Sequence, residues 1–241
     1  MFFIIRDQQS HSSSPVIWCE IEPNNFFESY SMDGLSATEN EIYLEFVSNT
    51  VAKVVGSMKT AVSAKFIKIK LTKKVNQPCL TIDINLPTLS NARRSVTHDI
   101  PVTVIPNRLW SDYKEPDIPA WDIITSVPPI RQLTTIIDRM KKLVTVAQII
   151  VNVEGEITIS ANNSLLTINS HFDRVDVIEH RDRRKQSSVY VDVKKLHQFL
   201  SGDLVTENIQ CCIVDKKLMC LQIMNDFMTL RYFLPPANSD I

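Results

Sequence analysis

Apolar and polar positions alternate along much of the chain. From Phe66 to Leu71, Ile67, Ile69 and Leu71 fall on one side and Phe66, Lys68 and Lys70 on the other, the period of two that a half-buried strand requires. Cys79 to Leu86 and Val96 to Ile105 are rich in β-branched residues and predict further strands, as do Val16 to Ile21 and Ile149 to Val153. Glu154-Gly155 predicts a hairpin turn into a strand over Glu156 to Ser160. The period changes to three and four at Ile130, Leu133, Ile136, Ile137, Met140 and Leu143, which builds one apolar stripe along a helix. Its other face carries Arg131, Thr135, Arg139 and Lys142, with Asp138 in their midst. A further helix follows a strand ending near Val191; it turns Leu196, Phe199 and Leu200 inward, exposes Lys194 and Lys195, and stops at Gly202. Many short strands with few helices predict an α+β fold on antiparallel sheet.

The order of these elements repeats. Glu41 to Val55 resembles Ser188 to Leu200: a strand with Tyr43 or Tyr190, an acid at 45 or 192, then an amphipathic helix. Each copy continues into two strands joined by a lysine-bearing turn, Thr72-Lys73-Lys74 in one and Asp215-Lys216-Lys217 in the other. The second copy opens with an extra strand, helix and strand from Asp122 to Val153. In the first copy Met1 already lies in the strand that would follow, so that copy is expected to lack its opening β-α-β. Pro106 to Pro119 reads as a linker, and Pro128 and Pro129 introduce the helix beyond it. The expected boundaries are a first domain over 1–105, a linker over 106–121 and a second domain over 122–241.

Composition narrows the function. Twenty-six basic residues nearly balance twenty-seven acidic ones, so a grip on nucleic acid must come from where charges sit and not from the total. Four glycines, at 34, 56, 155 and 202, leave no phosphate-cradling loop. Cys19, Cys79, Cys211, Cys212 and Cys220 form no CxxC pair and read as reduced thiols of a soluble intracellular protein. The apolar start, Met1 to Ile5, is too short for a secretory signal, and no stretch approaches the roughly 18 apolar residues of a membrane span. Cys19, His98 and Asp99 could be posed as nucleophile, base and orienter, although cysteines in strands are usually core thiols. Arg181 to Lys185 is a short basic run that reads as a solvated loop, with a nuclear-import signal or partner patch as the other reading.

Several segments resemble one family. Trp18 to Phe46, Pro78 to Ile84, Val96 to Trp110, Val191 to Gly202 and Leu230 to Ala237 are similar, in collinear order, to the Hus-type subunit of the nine-one-one checkpoint clamp. The run from Val96 to Pro106 is specific, since no general fold rule demands Thr-His-Asp-Ile-Pro there. The resemblance implies a DNA sliding clamp like the proliferating cell nuclear antigen: two similar domains per subunit, three subunits per ring, helices lining the hole and sheets outside. It implies a non-catalytic protein without cofactor or metal, two sister subunits as partners, duplex DNA through the ring, and a clamp loader and repair enzymes as visitors. The implied location is the nucleus, with the cytoplasm as a second compartment.

The resemblance also places residues. DNA-facing cations would be Lys53 and Lys59 on the first helix, Arg131, Arg139, Lys141 and Lys142 on the second, and Lys194 and Lys195 on the third; such residues otherwise read as a solvated helix face. Subunit edges would be Val96 to Ile105, with Val96, Val102 and Val104, and Leu165 to Phe172, with Leu165, Ile168 and Phe172. Partner peptides would meet Ile118, Tyr232, Phe233 and Pro235, of which Tyr232 and Phe233 read equally well as core anchors of a last strand. The alternative reading is a truncated form that binds sister subunits without closing a ring, as a regulatory or inert product.

Overall fold

Sixteen strands and four α-helices, most of them short, make up the described part of a computed structural model covering residues 1–6, 15–34, 36, 40–59, 66–86, 94–117, 120–163, 165–181, 185–202 and 208–237. In chain order they are β1 (Phe2–Arg6), β2 (Pro15–Ile21), α1 (Pro23–Phe26), β3 (Leu44–Glu45), α2 (Ser48–Lys59), β4 (Phe66–Lys74), β5 (Gln77–Leu86), β6 (Arg94–Pro101) and β7 (Thr103–Val104). After a 3-10 helix (Asn107–Tyr113) come β8 (Ile123–Ser126), α3 (Ile130–Met140), β9 (Val146–Asn152), β10 (Ile157–Asn162), β11 (Thr167–Phe172) and β12 (Val177–His180). The chain ends with β13 (Gln186–Asp192), α4 (Val193–Leu200), β14 (Ile209–Val214), β15 (Leu218–Asn225) and β16 (Met228–Leu234). All pairing is antiparallel.

The chain divides into two compact units, and they do not follow the boundaries expected from sequence. One comprises Met1–Tyr30 with Glu115–Ile241; the other is Ser31–Lys114. The first thirty residues leave the first copy because β2 pairs with β16 over five positions, from Met228↔Ile21 to Tyr232↔Ile17. Cross-strand hydrogen bonds thus outweigh sequence proximity.

The larger unit holds a seven-stranded sheet, β1-β2-β16-β15-β14-β8-β12, and a four-stranded sheet, β11-β10-β9-β13. Strict alternation supplies the core between them: Ile149, Val151, Ile159, Val189 and Val191 from one sheet meet Ile123, Cys211, Ile213, Leu221 and Leu234 from the other. The stripes of α3 and α4 join the same cluster through Leu133, Ile137, Met140, Leu196, Phe199 and Leu200. Asp192 caps α4, its Oδ1 accepting from the backbone amides of Lys194 at 2.8 Å and Lys195 at 3.1 Å. Gly155 sits at φ +82°, and a Cβ there would lie 2.5 Å from the Val175 carbonyl oxygen, so this turn requires glycine.

The smaller unit is thinner. Its sheets are β4-β5-β6 and the short pair β3-β7. One helix, α2, lays Val51 and Val54 over Ile82, Ile84 and Ile100. Strand β4 is exposed at every position but Thr72. Its Ile67, Ile69 and Leu71 stand opposite Ile84, Ile82 and Leu80, so they share the face that α2 covers elsewhere. The alternation read from sequence is present, but it buries little.

The internal repeat is visible in hydrogen bonds. The Ile105 amide donates to the Tyr43 carbonyl at 2.9 Å, and the Ala237 amide donates to the Tyr190 carbonyl at the same distance. Strand, helix and three strands follow in both copies, as β3-α2-β4-β5-β6 and β13-α4-β14-β15-β16. Local details differ from expectation. Lys73 and Lys74 belong to β4, and the turn is Val75-Asn76, both at positive φ, which suits a two-residue hairpin. The strand expected over Val96 to Ile105 divides after Val102: its amide still bonds the Pro78 carbonyl of β5 at 3.0 Å, and Thr103–Val104 then cross to β3. Helix α3 stops at Met140, leaving Leu143 exposed. The expected linker folds into the 3-10 helix, where the Trp110 ring stacks on Tyr43 at 4.7 Å and its Nε1 donates to the Ile105 carbonyl.

Candidate nucleic-acid face and docking pocket

Helices α3 and α4 lie side by side. The Thr134 hydroxyl donates to the Leu200 carbonyl at 3.4 Å, and the Tyr232 hydroxyl donates to the Lys195 carbonyl at 3.0 Å, fastening α4 to β16. Because their apolar stripes are spent on the core, the remaining positions form one shared outer face. Arg131, Arg139, Lys142 and Lys194 are exposed on it, while Lys141 and Lys195 are half-buried. A groove of about 550 Å³ runs between the helices, lined by Ile130, Arg131, Thr134, Thr135, Asp138, His197 and Leu200. In the smaller unit Lys53 is exposed on α2; the Lys59 side chain lies outside the described residues.

One acid organises this face. Asp138 Oδ1 lies 2.8 Å from Lys141 Nζ, and Oδ2 lies 3.1 Å from Lys142 Nζ. His197, from α4, places Nε2 3.2 Å from Asp138 Oδ1 and 2.8 Å from Lys141 Nζ. Hydrogen bonds from Lys141 and Lys142 hold the Asp138 carboxyl well below the usual carboxylate range. Sequence reasoning placed Asp138 among the cations but missed His197, whose spacing along its own helix gives no signal of a partner on α3. Flexible cations on a helix face can engage phosphates without reading base sequence.

A second concavity, about 540 Å³, lies against the seven-stranded sheet and is lined by Trp121, Ile124, Ile178 and Met224, with Glu115, Glu179 and Arg231 at its polar edge. Arg231 donates to Glu115, tying the start of the larger unit's second segment to β16. The residues expected to receive partners fare differently. Tyr232 and Phe233 are buried, at 4% and 5% exposure, the first against Phe199 and the second beside Trp18, Cys212 and Cys220; they are core anchors. Pro235 is exposed, and Ile118 lies outside the described residues. The signal that could have found the pocket is the outward phase of β12 and β15, where Ile178 and Met224 are exposed apolar residues.

Each sheet ends in open edge strands among the described residues, and two of these are the edges expected from sequence. Among the described residues β6 pairs only with β5, and β11 pairs only with β10. Of the residues expected there, Val104 is exposed, Val96 packs on the small-unit core, and Ile168 and Phe172 pack on the large-unit core. Val102 is 4% exposed, a core residue whose side chain is not available to a neighbour. Leu165 is 90% exposed but precedes β11, in a turn where its amide donates to Asn163 Oδ1. Within the basic run, Asp182 to Arg184 lie outside the described residues.

The thiol reading finds the wrong environment. Burial pushes the Cys19 thiol up, which disfavours the nucleophilic thiolate. Burial also raises Cys211 and Cys220, and lifts Cys212 to about 12. His98 Nε2 lies 3.4 Å from the Ser57 hydroxyl, and Asp99 accepts from the Thr81 hydroxyl.

Comparison with known proteins accounts for the fold. The structure superposes on the proliferating cellular nuclear antigen of Entamoeba histolytica with a TM-score of 0.66 at 13% identity, over 92% of this chain and 80% of that one. The human protein named checkpoint protein HUS1 is 35% identical over 97% of this chain and 85% of its own length. A Drosophila melanogaster protein named checkpoint protein Hus1-like is 28% identical over 98% of this chain and 85% of its own. Checkpoint protein hus1 of Schizosaccharomyces pombe is 24% identical over 86% and 76%. The sequence model of the family described as Hus1-like protein matches residues 1–238, and the chain belongs to that family.

Proposed function

We propose that this chain is a non-catalytic subunit of a checkpoint clamp that assembles with two sister subunits and encircles duplex DNA in the nucleus, supporting damage signalling and repair. The observation that carries the reading is the pairing of β2 with β16. By the repeat, β1–β2 corresponds to β10–β11 and β16 corresponds to β6. The open edges of β11 and β6 are therefore the counterparts of two strands that already pair within this chain. Strands with that geometry continue a sheet from one subunit to the next, which is the head-to-tail contact a closed ring needs. The outer face of α3 and α4, with Lys53 of α2, then supplies phosphate contacts, and its mixed charge keeps them weak enough for sliding. The pocket beside Trp121 and Met224 is the docking site for visiting proteins, including a loader and repair enzymes.

Mixing the purified chain with the two sister subunits should give a 1:1:1 complex by native mass spectrometry, retained on circular DNA and released when the circle is cut. Failure to assemble would sink the reading. A second reading rests on the open, apolar β4: the chain binds its sisters but leaves the ring unclosed. It predicts the complex without retention on circular DNA.

A further inference from the structure

We infer that Asp138 is a tether that withholds Lys141 and Lys142 from phosphate, and that His197 releases Lys141 when it takes a proton. The inference rests on the nucleic-acid reading of the α3–α4 face and concerns how that face is regulated. Its basis is a four-residue network confined to that face. Asp138 engages both lysines through different oxygens, at 2.8 and 3.1 Å, so one carboxylate occupies two of the cations a duplex would use. Both ion pairs are partly exposed, with Asp138 at 40%, so they are weak enough to be exchanged for phosphate. Arg139, Arg131 and Lys194 are exposed cations of the face outside this network.

His197 adds a proton-dependent step. In the neutral tautomer with its proton on Nδ1, Nε2 accepts from Lys141 Nζ at 2.8 Å, so Lys141 is held by an imidazole and a carboxylate at once. A proton on Nε2 turns that acceptor into a donor. Nε2 then donates to Asp138 Oδ1, 3.2 Å away, and Lys141 loses one acceptor and faces a like charge. The groups facing this imidazole are Asp138 and Lys141 from α3 and the Ser201 hydroxyl at 3.2 Å from its own helix end, with Lys194 one turn earlier. Each proton bound adds one charge to the face and loosens one lysine. A protonated His197 therefore makes the face a better phosphate binder than a neutral one.

The test uses the full chain and a fluorescent duplex of arbitrary sequence, with affinity read by anisotropy from low to moderate salt at pH 8 and pH 6. Asp138→Asn is expected to tighten binding roughly three- to tenfold and to steepen the salt slope by about one to two, since each freed lysine neutralises about one phosphate. His197→Gln is expected to leave binding at pH 8 within about twofold and to remove most of the gain on going to pH 6, a gain that Asp138→Asn also flattens. Thermal melting of each variant separates these effects from loss of fold. If Asp138→Asn binds no more tightly while Arg139→Glu with Lys194→Glu weakens binding, the tether is wrong and the nucleic-acid face stands. If neither pair of changes alters binding, or the chain binds no duplex at low salt, both are wrong. An unchanged pH response in His197→Gln removes the proton step.

Discussion

β4 and β14 occupy the same place in two copies of one module, and their surroundings differ in every respect that matters for burial. β14 lies between β15 and β8, beneath a pair of packed helices, and its Ile213 is 0% exposed. β4 has β5 on one side and no partner on the other among the described residues, and its Ile69 is 44% exposed. α4 packs against α3, whereas α2 has no partner helix in its unit among the described residues. Among the described residues, the difference is the strand, helix and strand of β8, α3 and β9 beside the second copy. A module of this kind does not bury its own strands; a neighbouring β-α-β completes it. The lesson is energetic as well as topological, because apolar area left in water contributes nothing to stability at about 25 cal/mol per Å².

The largest effect should come from truncating one isoleucine side chain on each of the two strands. Ile213→Ala should cost about 3 kcal/mol, the transfer and cavity cost of a fully buried isoleucine, whereas Ile69→Ala should cost under about 1 kcal/mol, both read from urea unfolding midpoints. Equal costs would mean that β4 is covered in solution and the comparison is broken. Next in size, Asp192→Ala removes the two amide bonds that start α4 and should destabilise the larger unit by about 1 kcal/mol in the same assay. Tyr232→Phe should follow at about 1 kcal/mol or less, since it deletes the hydrogen bond to the Lys195 carbonyl and leaves the ring packing.

The smallest effect belongs to the smaller unit's surface. Lys70 and Thr97 hydrogen-bond Asp83 and lower its carboxyl from the ordinary 3.8. A lowered folded-state value means this contribution is complete above pH 3.8 and drains away as pH falls through the lower folded value. The melting-temperature difference between the parent chain and Lys70→Ala should therefore be present at pH 6 and shrink below about pH 4. A difference that persists undiminished at the acid end would assign the effect to packing of the lysine stem.

Much of the architecture was legible in residue spacing. Period-two runs marked β4, β5, β9 and β10, and the Ile130 to Met140 stripe marked α3, because backbone geometry alone forces these spacings on any residue that must face a core. The repeat was legible too, down to Tyr43 and Tyr190, whose carbonyls accept equivalent bonds. Turn placement was less so: lysines suggested a turn at Thr72 to Lys74, but the chain reverses at Val75-Asn76, where the tolerance of asparagine for positive φ was the usable signal.

Amino-acid order by itself determined which residues alternate and that one module occurs twice, since these follow from local periodicity. Tertiary structure alone decided that residues 1–30 join the larger unit, that Tyr232 and Phe233 are core and not docking residues, that Ile67, Ile69 and Leu71 stay in water, and that His197 meets Asp138 and Lys141. Each of these depends on which distant strand or helix supplies the other half of a contact. Local pattern records that a face seeks a partner, and only the packed chain determines whether one arrives.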